Sequence, residues 1–317
     1  MALSDRCLVT GGAGFIGVGV VRALLTRGYN VSVLDNGVAA GFGYVEQLSV
    51  RLIKADIRDR LGVESALEGC RSVIHLAAQT SVPDSIGDPL EDLRSNVEAS
   101  VVLLDAARHH GVRRFVFASS NAVVGGHPSP MHEGLTPFPV SPYGAAKASV
   151  ESYLRAYWQA YEFEGVALRF ANAYGPWSVH KSSVASAFIK AYLRDDPLLL
   201  RGGGHQTRDF VHLDDIVAAI MLSLDAPMEA VAGEVFQVGS GRETSLLELA
   251  DVLFAVGGGA VALDHQAPSA GDVARNVSDI SKARSVLGYS PRVELREGMA
   301  NTLEWFRANW QVPGSPA

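Results

Sequence analysis

Short apolar runs alternate along the first half of the chain with longer stretches in which apolar residues recur every three or four positions. Runs at 29–34, 50–55, 72–76, 114–118 and 166–170 read as strands, and Leu8 and Val9 head another. The stretches between them read as helices. One runs from Phe15 to about Gly28, one over 89–110 with Leu93, Val97, Val101 and Leu104 on one stripe, and a long one is opened by Ser141 as N-cap and Pro142 in the first turn. This alternation predicts an α/β fold with a doubly wound parallel sheet whose sixth strand is 166–170.

The second half changes character. Helical patterns at 183–193, 214–224, 246–256 and 293–310 are separated by short strands at 198–201, 207–211 and 235–238, and Gly202, Gly203 and Gly204 are expected to make a hairpin turn between the first two strands. There is no internal repeat and no low-complexity tract. The pieces predict a smaller α/β substrate domain interleaved with the first. The expected division is a nucleotide-binding domain over 1–172 and a substrate domain over 173–317, some segments of which return to the first. The long helix is apolar on more than one face, through Val150, Tyr153, Leu154, Tyr157, Trp158 and Tyr161, so a second side must be buried. Either it pairs with the 89–110 helix in a four-helix dimer interface, or the C-terminal region covers it.

The first turn carries the first chemistry. Glycines at 11, 14 and 17 precede and open a helix together with Phe15 and Ile16, in a G-x-x-G-x-x-G spacing that differs by one residue from the dinucleotide fingerprint. Glycine lets the backbone turn sharply and lets a pyrophosphate approach the N–H groups at the helix start, where the dipole favours negative charge. Asp35 ends the second strand, where an acid holds a ribose 2′-hydroxyl, and its carboxylate would repel a 2′-phosphate. The pattern predicts NAD rather than NADP.

Composition narrows the class. A chain of 317 residues that is 48% hydrophobic can bury one large core or two modest ones. Its net charge of −7 argues against a nucleic-acid or anionic-membrane surface, so an anionic ligand must be met locally. Cys7 and Cys70 have no metal-type spacing; no metal is expected, and both read as free thiols in a reducing compartment. With no signal-peptide pattern and no long apolar run, the expected location is the cytoplasm.

Polar residues gather at the carboxyl ends of the strands, which face the ligand in a doubly wound sheet. Asp56 and Ile57 follow the third strand, where the carboxylate either accepts from an adenine amino group or caps the next helix. Ala77, Ala78 and Gln79 follow the fourth, small enough for a cofactor to lie against the backbone. Ser119, Ser120 and Asn121 follow the fifth, and a Pro-, Gly- and His-bearing loop from Gly125 to Pro139 has the length of a substrate loop. Tyr143 and Lys147 are spaced i, i+4 on one helical face; an ammonium beside a phenol favours the phenolate and lowers the tyrosine pKa. Arg208 suits a diphosphate by bidentate hydrogen bonding, or a salt bridge to Asp209, Asp214 or Asp215.

Taken together these residues resemble the extended short-chain dehydrogenase/reductase family, in its nucleotide-sugar epimerase/dehydratase branch. The resemblance rests on TGGAGFIG at 10–17, Asp35 with Asn36, Asp56 with Ile57, LAAQ at 76–79, Asn96, Ser119 with Ser120, Tyr143 to Lys147, 172–176, RDFVH at 208–212, Gly271 to Val273 and DISKAR at 279–284. It implies a Rossmann-type domain that keeps NAD bound, with Phe170 at the end of the sixth strand joining the cofactor set, and an NDP-sugar domain. It also implies Tyr143 as the base at the sugar's 4-hydroxyl, Lys147 tuning it and holding the nicotinamide ribose, and Ser120 on the same sugar oxygen. Ser119 joins the substrate set, and Asn172 and Arg208 match diphosphate contacts.

Departures from the family pattern refine the expected reaction. The family's 4,6-dehydratases carry an Asp-Glu pair where this chain has Asn121 and Ala122, which leaves a UDP-hexosamine or UDP-hexose 4-epimerase as the leading expectation. Val124 stands where a tyrosine is usual. Ser269 replaces a common arginine, for which Arg275 either compensates or is a surface residue. Asn276 stands where the sugar's C2 substituent is gated, and UDP-GlcNAc is the preferred donor. The alternative is a redox-neutral dehydratase that removes water across C5–C6, with His132, beside Met131 and a structural Glu133, approaching the sugar. A catalytically silent NAD-sensing protein is the third expectation. The expected partners are an NDP-sugar and a second copy in a homodimer.

Overall fold

The computed structural model describes residues 5–267 and 274–311; Ser269 and the Gly271 to Val273 motif lie outside them. Seven parallel strands form one Rossmann-type sheet in the spatial order Glu234–Val238, Glu164–Phe170, Arg114–Ser120, Cys70–His75, Arg6–Thr10, Asn30–Asp35, Arg51–Lys54. Chain order reverses at Arg6–Thr10, which lies between Asn30–Asp35 and Cys70–His75. That reversal opens the crevice in which a doubly wound sheet receives its ligand. The sheet does not close at 170. Glu234–Val238, from the second half, adds a seventh strand because Phe236 and Val238 are fully buried with Val166 and Leu168 on one face, while Val235 packs on the other.

Each face has its own helices. Phe15–Thr26 and Leu213–Asp225 bury Val20, Val21, Leu24, Ile216 and Ile220 against Val9, Val33 and Ile74. Arg60–Leu67, Ala99–His109 and Pro142–Tyr161 bury Leu103, Leu104, Val150 and Leu154 against Phe115 and Phe117. Ser141 caps the long helix as expected, its Oγ accepting from the Gly144 N–H at 3.1 Å. Val102, Tyr153 and Tyr161 remain exposed, whereas Trp158 on the same helix packs against Gly233 from the second half.

The 89–110 stretch is not one regular helix. Pro89–Leu93 passes into a π-helical turn, Arg94–Glu98, before Ala99–His109 begins. The wider turn breaks the 3.6-residue register, and Asn96 is buried within it.

The expected hairpin at the glycine triplet does not form. Leu198–Arg201 pairs in parallel with Leu263–Gln266, whereas Thr207–Arg208 lies between Thr244–Ser245 and Arg275–Asn276. Gly202, Gly203 and Gly204 have φ of +58°, +74° and +81°, a left-handed run that favours glycine at each position, and it turns the chain away from its own preceding strand. A third core, including Phe188, Leu198, Leu249, Leu303 and Phe306, holds these segments together.

Cys7 and Cys70 are buried and unpaired. Among the described residues no His, Cys, Asp or Glu cluster is arranged to hold a metal ion, and no helix is long and apolar enough to cross a membrane.

Candidate active site

The glycine turn is built for a close ligand. Gly14 is the N-cap of Phe15–Thr26 and no side chain caps that end, so the first-turn N–H groups are left to an anion. Gly11, at φ +68°, packs so closely on the segment that follows Cys70–His75 that a Cβ there would stand 2.7 Å from the Ala77 nitrogen. Asp35 is aimed by backbone on both sides: Ala13 N–H donates to Oδ2 at 2.9 Å and Gly37 N–H to Oδ1 at 2.8 Å. Each oxygen keeps acceptor capacity for a ribose hydroxyl.

Asn36 donates to Asp56 at 3.0 Å, and Arg58 grips the same carboxylate at 2.8 and 3.0 Å, which holds its pKa well below the usual range. The helix that follows is capped by Asp59, not Asp56. Ile57 is half-buried against the cluster that includes Leu103, Phe115 and Phe117.

Ala77, Ala78 and Gln79 form a ledge fixed by a buried chain of hydrogen bonds. Ala77 N–H donates to Thr10 Oγ1 at 3.3 Å, Thr10 lies 2.7 Å from His75 Nδ1, and His75 Nε2 lies 2.9 Å from Ser100 Oγ. Ser100 donates to the Asn96 carbonyl at 2.5 Å, and this direction makes His75 a donor at Nε2 and an acceptor at Nδ1. Asn96 clamps Gln79, accepting its N–H at 2.9 Å and donating to its carbonyl at 3.0 Å. Asp92, 1% exposed, accepts from Asn96 at 2.8 Å. Neither Asp92 nor His75 was read from the sequence as a site residue, although Asp92 stands at i−4 from Asn96, the signal for one helical face.

Burial, with Lys147 adding to it, pushes His75 down to about 3. An unfolded histidine protonates near 6.5, so below that pH the unfolded chain binds the proton first and stability falls as pH drops from 6.5 toward 3. The expected slope from this group is about 1.4 kcal/mol per pH unit. Urea unfolding at pH 6.5, 5.5 and 4.5 checks it: His75→Gln should lose that part of the slope, and equal slopes would show that His75 does not titrate on unfolding.

Ser120, Tyr143 and Lys147 come together at the crevice. The Tyr143 N–H donates to Ser85 Oγ at 3.2 Å, and Lys147 Nζ donates to the Ala118 carbonyl at 2.8 Å. The ammonium stands 4.7 Å from the Phe117 ring centre and 5.7 Å from that of Tyr143. Burial pushes the phenol up to about 12, with Ser120 pulling it down and Asp92 pushing it further up. Burial also lowers Lys147 to about 8, against the pull of Asp92 and Glu151. The expected lowering of Tyr143 by Lys147 is therefore not what the protein alone achieves, because desolvation disfavours phenolate and ammonium alike.

Two expected substrate residues have protein partners. Ser119, alternating with Ser120 along the strand, turns to the opposite side and donates to Glu151 at 2.5 Å; Glu151 in turn holds buried Arg169 at 2.9 and 2.7 Å. Arg275 is exposed, and its guanidinium is paired with Glu243 at 2.5 and 2.6 Å. Phe170 is buried at its strand's end in the cluster that includes Val9, Ile74 and Phe236.

Asn172 opens Asn172–Tyr174, which pairs with Phe210–His212, and Arg208 donates to the Thr207 carbonyl at 2.8 Å. Asp209 receives the Ser240, Gly241 and Ser278 N–H groups, Asp215 receives those of Arg292 and Val293, and Asp214 faces His212.

Asn121 is buried and donates to Asn276 at 3.1 Å and to Ser278 at 2.9 Å, tying the strand end to the C-terminal segment. His132 is exposed beside Asp279, and Glu133 accepts the Gln237 N–H at 2.7 Å. The loop's two acid–base candidates are thus a surface imidazole and a carboxylate bound to the backbone.

The family model described as "NAD dependent epimerase/dehydratase family" matches residues 7–239. The chain belongs to this family. A putative UDP-glucose 4-epimerase of Methanocaldococcus jannaschii is 35% identical, covering 95% of this chain and 98% of the relative. A dTDP-glucose 4,6-dehydratase of Streptomyces niveus is 34% identical over 98% of this chain and 96% of its own. Among solved structures, a UDP-N-acetylglucosamine 4-epimerase from Methanobrevibacter ruminantium in complex with UDP-N-acetylmuramic acid superposes with a TM-score of 0.90 at 30% identity, over 96% of this chain and 99% of that one. This family member is an NAD-dependent enzyme of nucleotide-sugar metabolism, and the uncapped helix start, the glycine contacts and the aimed Asp35 fit that cofactor.

Proposed function

We propose that the enzyme inverts the C4 centre of a UDP-hexose or UDP-hexosamine, UDP-GlcNAc preferred, through a transient 4-keto sugar. The observation that carries this reading is Asn121. At the place of the dehydratases' acid it is an amide, which cannot act as a carboxylic acid, and its N–H groups are spent on Asn276 and Ser278. With His132 exposed and Glu133 bound to backbone, the residues assembled at the crevice are those that oxidation and reduction at C4 require.

In this reading Tyr143 takes the proton of the 4-hydroxyl while Ser120 hydrogen-bonds the same oxygen. NAD, when bound, would supply the hydride acceptor for oxidation at C4 and the donor for its reduction, and its positive nicotinamide would oppose the desolvation that raises Tyr143. Asn172 and Arg208 hold the diphosphate, and rotation of the keto sugar presents its other face to the returning hydride. Asn276, its amide fixed by Asn121, borders the C2 substituent. We assign a homodimer to the exposed face that carries Val102, Tyr153 and Tyr161, and a reducing cytoplasm to the two unpaired thiols.

The test is proton NMR and mass analysis of the product from UDP-GlcNAc in deuterated water without added reductant. Epimerisation predicts unchanged mass, no deuterium at C5 and an inverted C4 signal. Loss of water with a vinyl signal would overturn it in favour of dehydration.

A further inference from the structure

Lys181 lies in the segment between Asn172–Tyr174 and Val184–Leu193, and its backbone is pinned at both ends. Its N–H donates to the Ser178 carbonyl at 2.9 Å, and Lys190 Nζ donates to its carbonyl at 2.8 Å. Ser178 is itself fixed, donating to the Gly175 carbonyl at 2.7 Å and accepting from Ser186 at 3.1 Å. From this anchored position the side chain crosses the crevice, and Nζ donates to Thr80 Oγ1 at 2.7 Å, one residue beyond the Asn96-clamped Gln79.

Lys181 is half-buried, yet among the described residues no carboxylate lies within ion-pair distance of it. A partly desolvated ammonium satisfied by one hydroxyl is poorly compensated, since burying a charge is costly unless it is paired; Lys147 and Lys190, which donate to the Ala118 and Lys181 carbonyls, likewise make no ion pair among the described residues. The carboxylates facing Lys147, those of Asp92 and Glu151, are engaged with Asn96 and Arg169. The nearby His180 is held neutral by burial and by Lys181 and Lys190, so it supplies no charge of either sign. Lys181 is also near enough to Lys147 to disfavour its proton, which puts two ammonium groups on one crevice.

We propose that Lys181 is a recognition residue for an anionic oxygen of a bound ligand, carried either by an acidic substituent on the sugar or by a pyrophosphate. The tether to Thr80 pre-orients the ammonium, leaving its other two hydrogens for the ligand. The proposal rests on the nucleotide-sugar reading for the first source and on NAD binding alone for the second.

Lys181→Met keeps the methylene stem and removes the charge. Three quantities are compared with the parent enzyme: the affinity of the cofactor-stripped protein for NAD, and the KM values for UDP-GlcNAc and for UDP-glucuronate. A charge-assisted hydrogen bond predicts a loss of about 10- to 100-fold in one of them. Loss confined to UDP-glucuronate assigns the sugar's carboxylate; loss of NAD affinity, or an equal rise in both KM values, assigns a pyrophosphate. Lys181→Arg should retain most of the affinity in each case. All three quantities within twofold of the parent, or a fall in thermal stability with no change in ligand affinity, would overturn the proposal. If neither sugar is turned over by the parent enzyme, the proposed function fails, while titrations of NAD and UDP-glucuronate still decide the role of Lys181.

Discussion

Tyr143→Phe is expected to keep NAD bound and to lower turnover by about 10²- to 10⁴-fold, the range for loss of a positioned acid–base group. The change removes one oxygen and leaves the ring beside Lys147, with Lys147 still donating to Ala118 and the backbone N–H of residue 143 still donating to Ser85. Nothing that shapes the glycine turn or the Ala77 to Gln79 ledge touches that oxygen. A parallel fall in bound NAD would therefore mark a different defect. Turnover from UDP-GlcNAc and NAD released on denaturation are measured on the same preparation; undiminished turnover would show that Tyr143 is not the base. The phenol is held near 12 in the protein alone, so the rate should rise with pH below the cofactor-bound pKa of Tyr143. Tyr143→Phe should lack that limb.

Gly17→Ala is expected to abolish NAD retention. A Cβ at this position would stand 2.1 Å from the Gly11 carbonyl oxygen and 2.6 Å from the Gly12 Cα. Both are backbone atoms, and a real Cβ does not approach so closely, so the turn must open. Opening it moves the first-turn N–H groups away from the pyrophosphate and pulls Gly11 from its seat against Ala77. Gly19→Ala, on the same helix but outside the turn, is the control: its Cβ would meet only the Val217 and Leu213 side chains, at 3.1 and 3.2 Å, which a small shift relieves. NAD content and melting temperature of the two variants should separate by far more than one methyl group explains by volume. Wild-type NAD content in Gly17→Ala would show that the pyrophosphate sits elsewhere.

The sheet was legible in the sequence as far as each strand carried its own apolar run. Six strands and the long helices follow from local periodicity, and Ser141 followed by Pro142 marked a helix start that forms as expected. The seventh strand was visible as a strand, but its place was not. Pairing of 234–238 with 164–170 depends on Phe236 and Val238 filling a face built by residues far away in the chain. The hairpin at 202–204 failed for a similar reason, because partners for 198–201 and 207–208 lie beyond residue 240.

The site divides along the same line. Glycine spacing, Asp35, and the i, i+4 relation of Tyr143 and Lys147 are properties of a few consecutive residues, and the sequence by itself determined them. Strand alternation would also have separated Ser119 from Ser120, had the strand been extended to residue 120. What only the tertiary structure decided is the company of each group. Examples are the π-turn that buries Asn96, the carboxyl of Asp92 beneath it, the spending of Asn121 on Asn276 and Ser278, and the crossing of Lys181 to Thr80. Hydrogen bonds between residues separated by as many as 157 positions leave no local pattern, and the cost of burying a charge depends on everything packed around it. Tyr143 shows the consequence: its neighbour at i+4 was readable from spacing, but its proton affinity is set by an enclosure that the whole fold supplies.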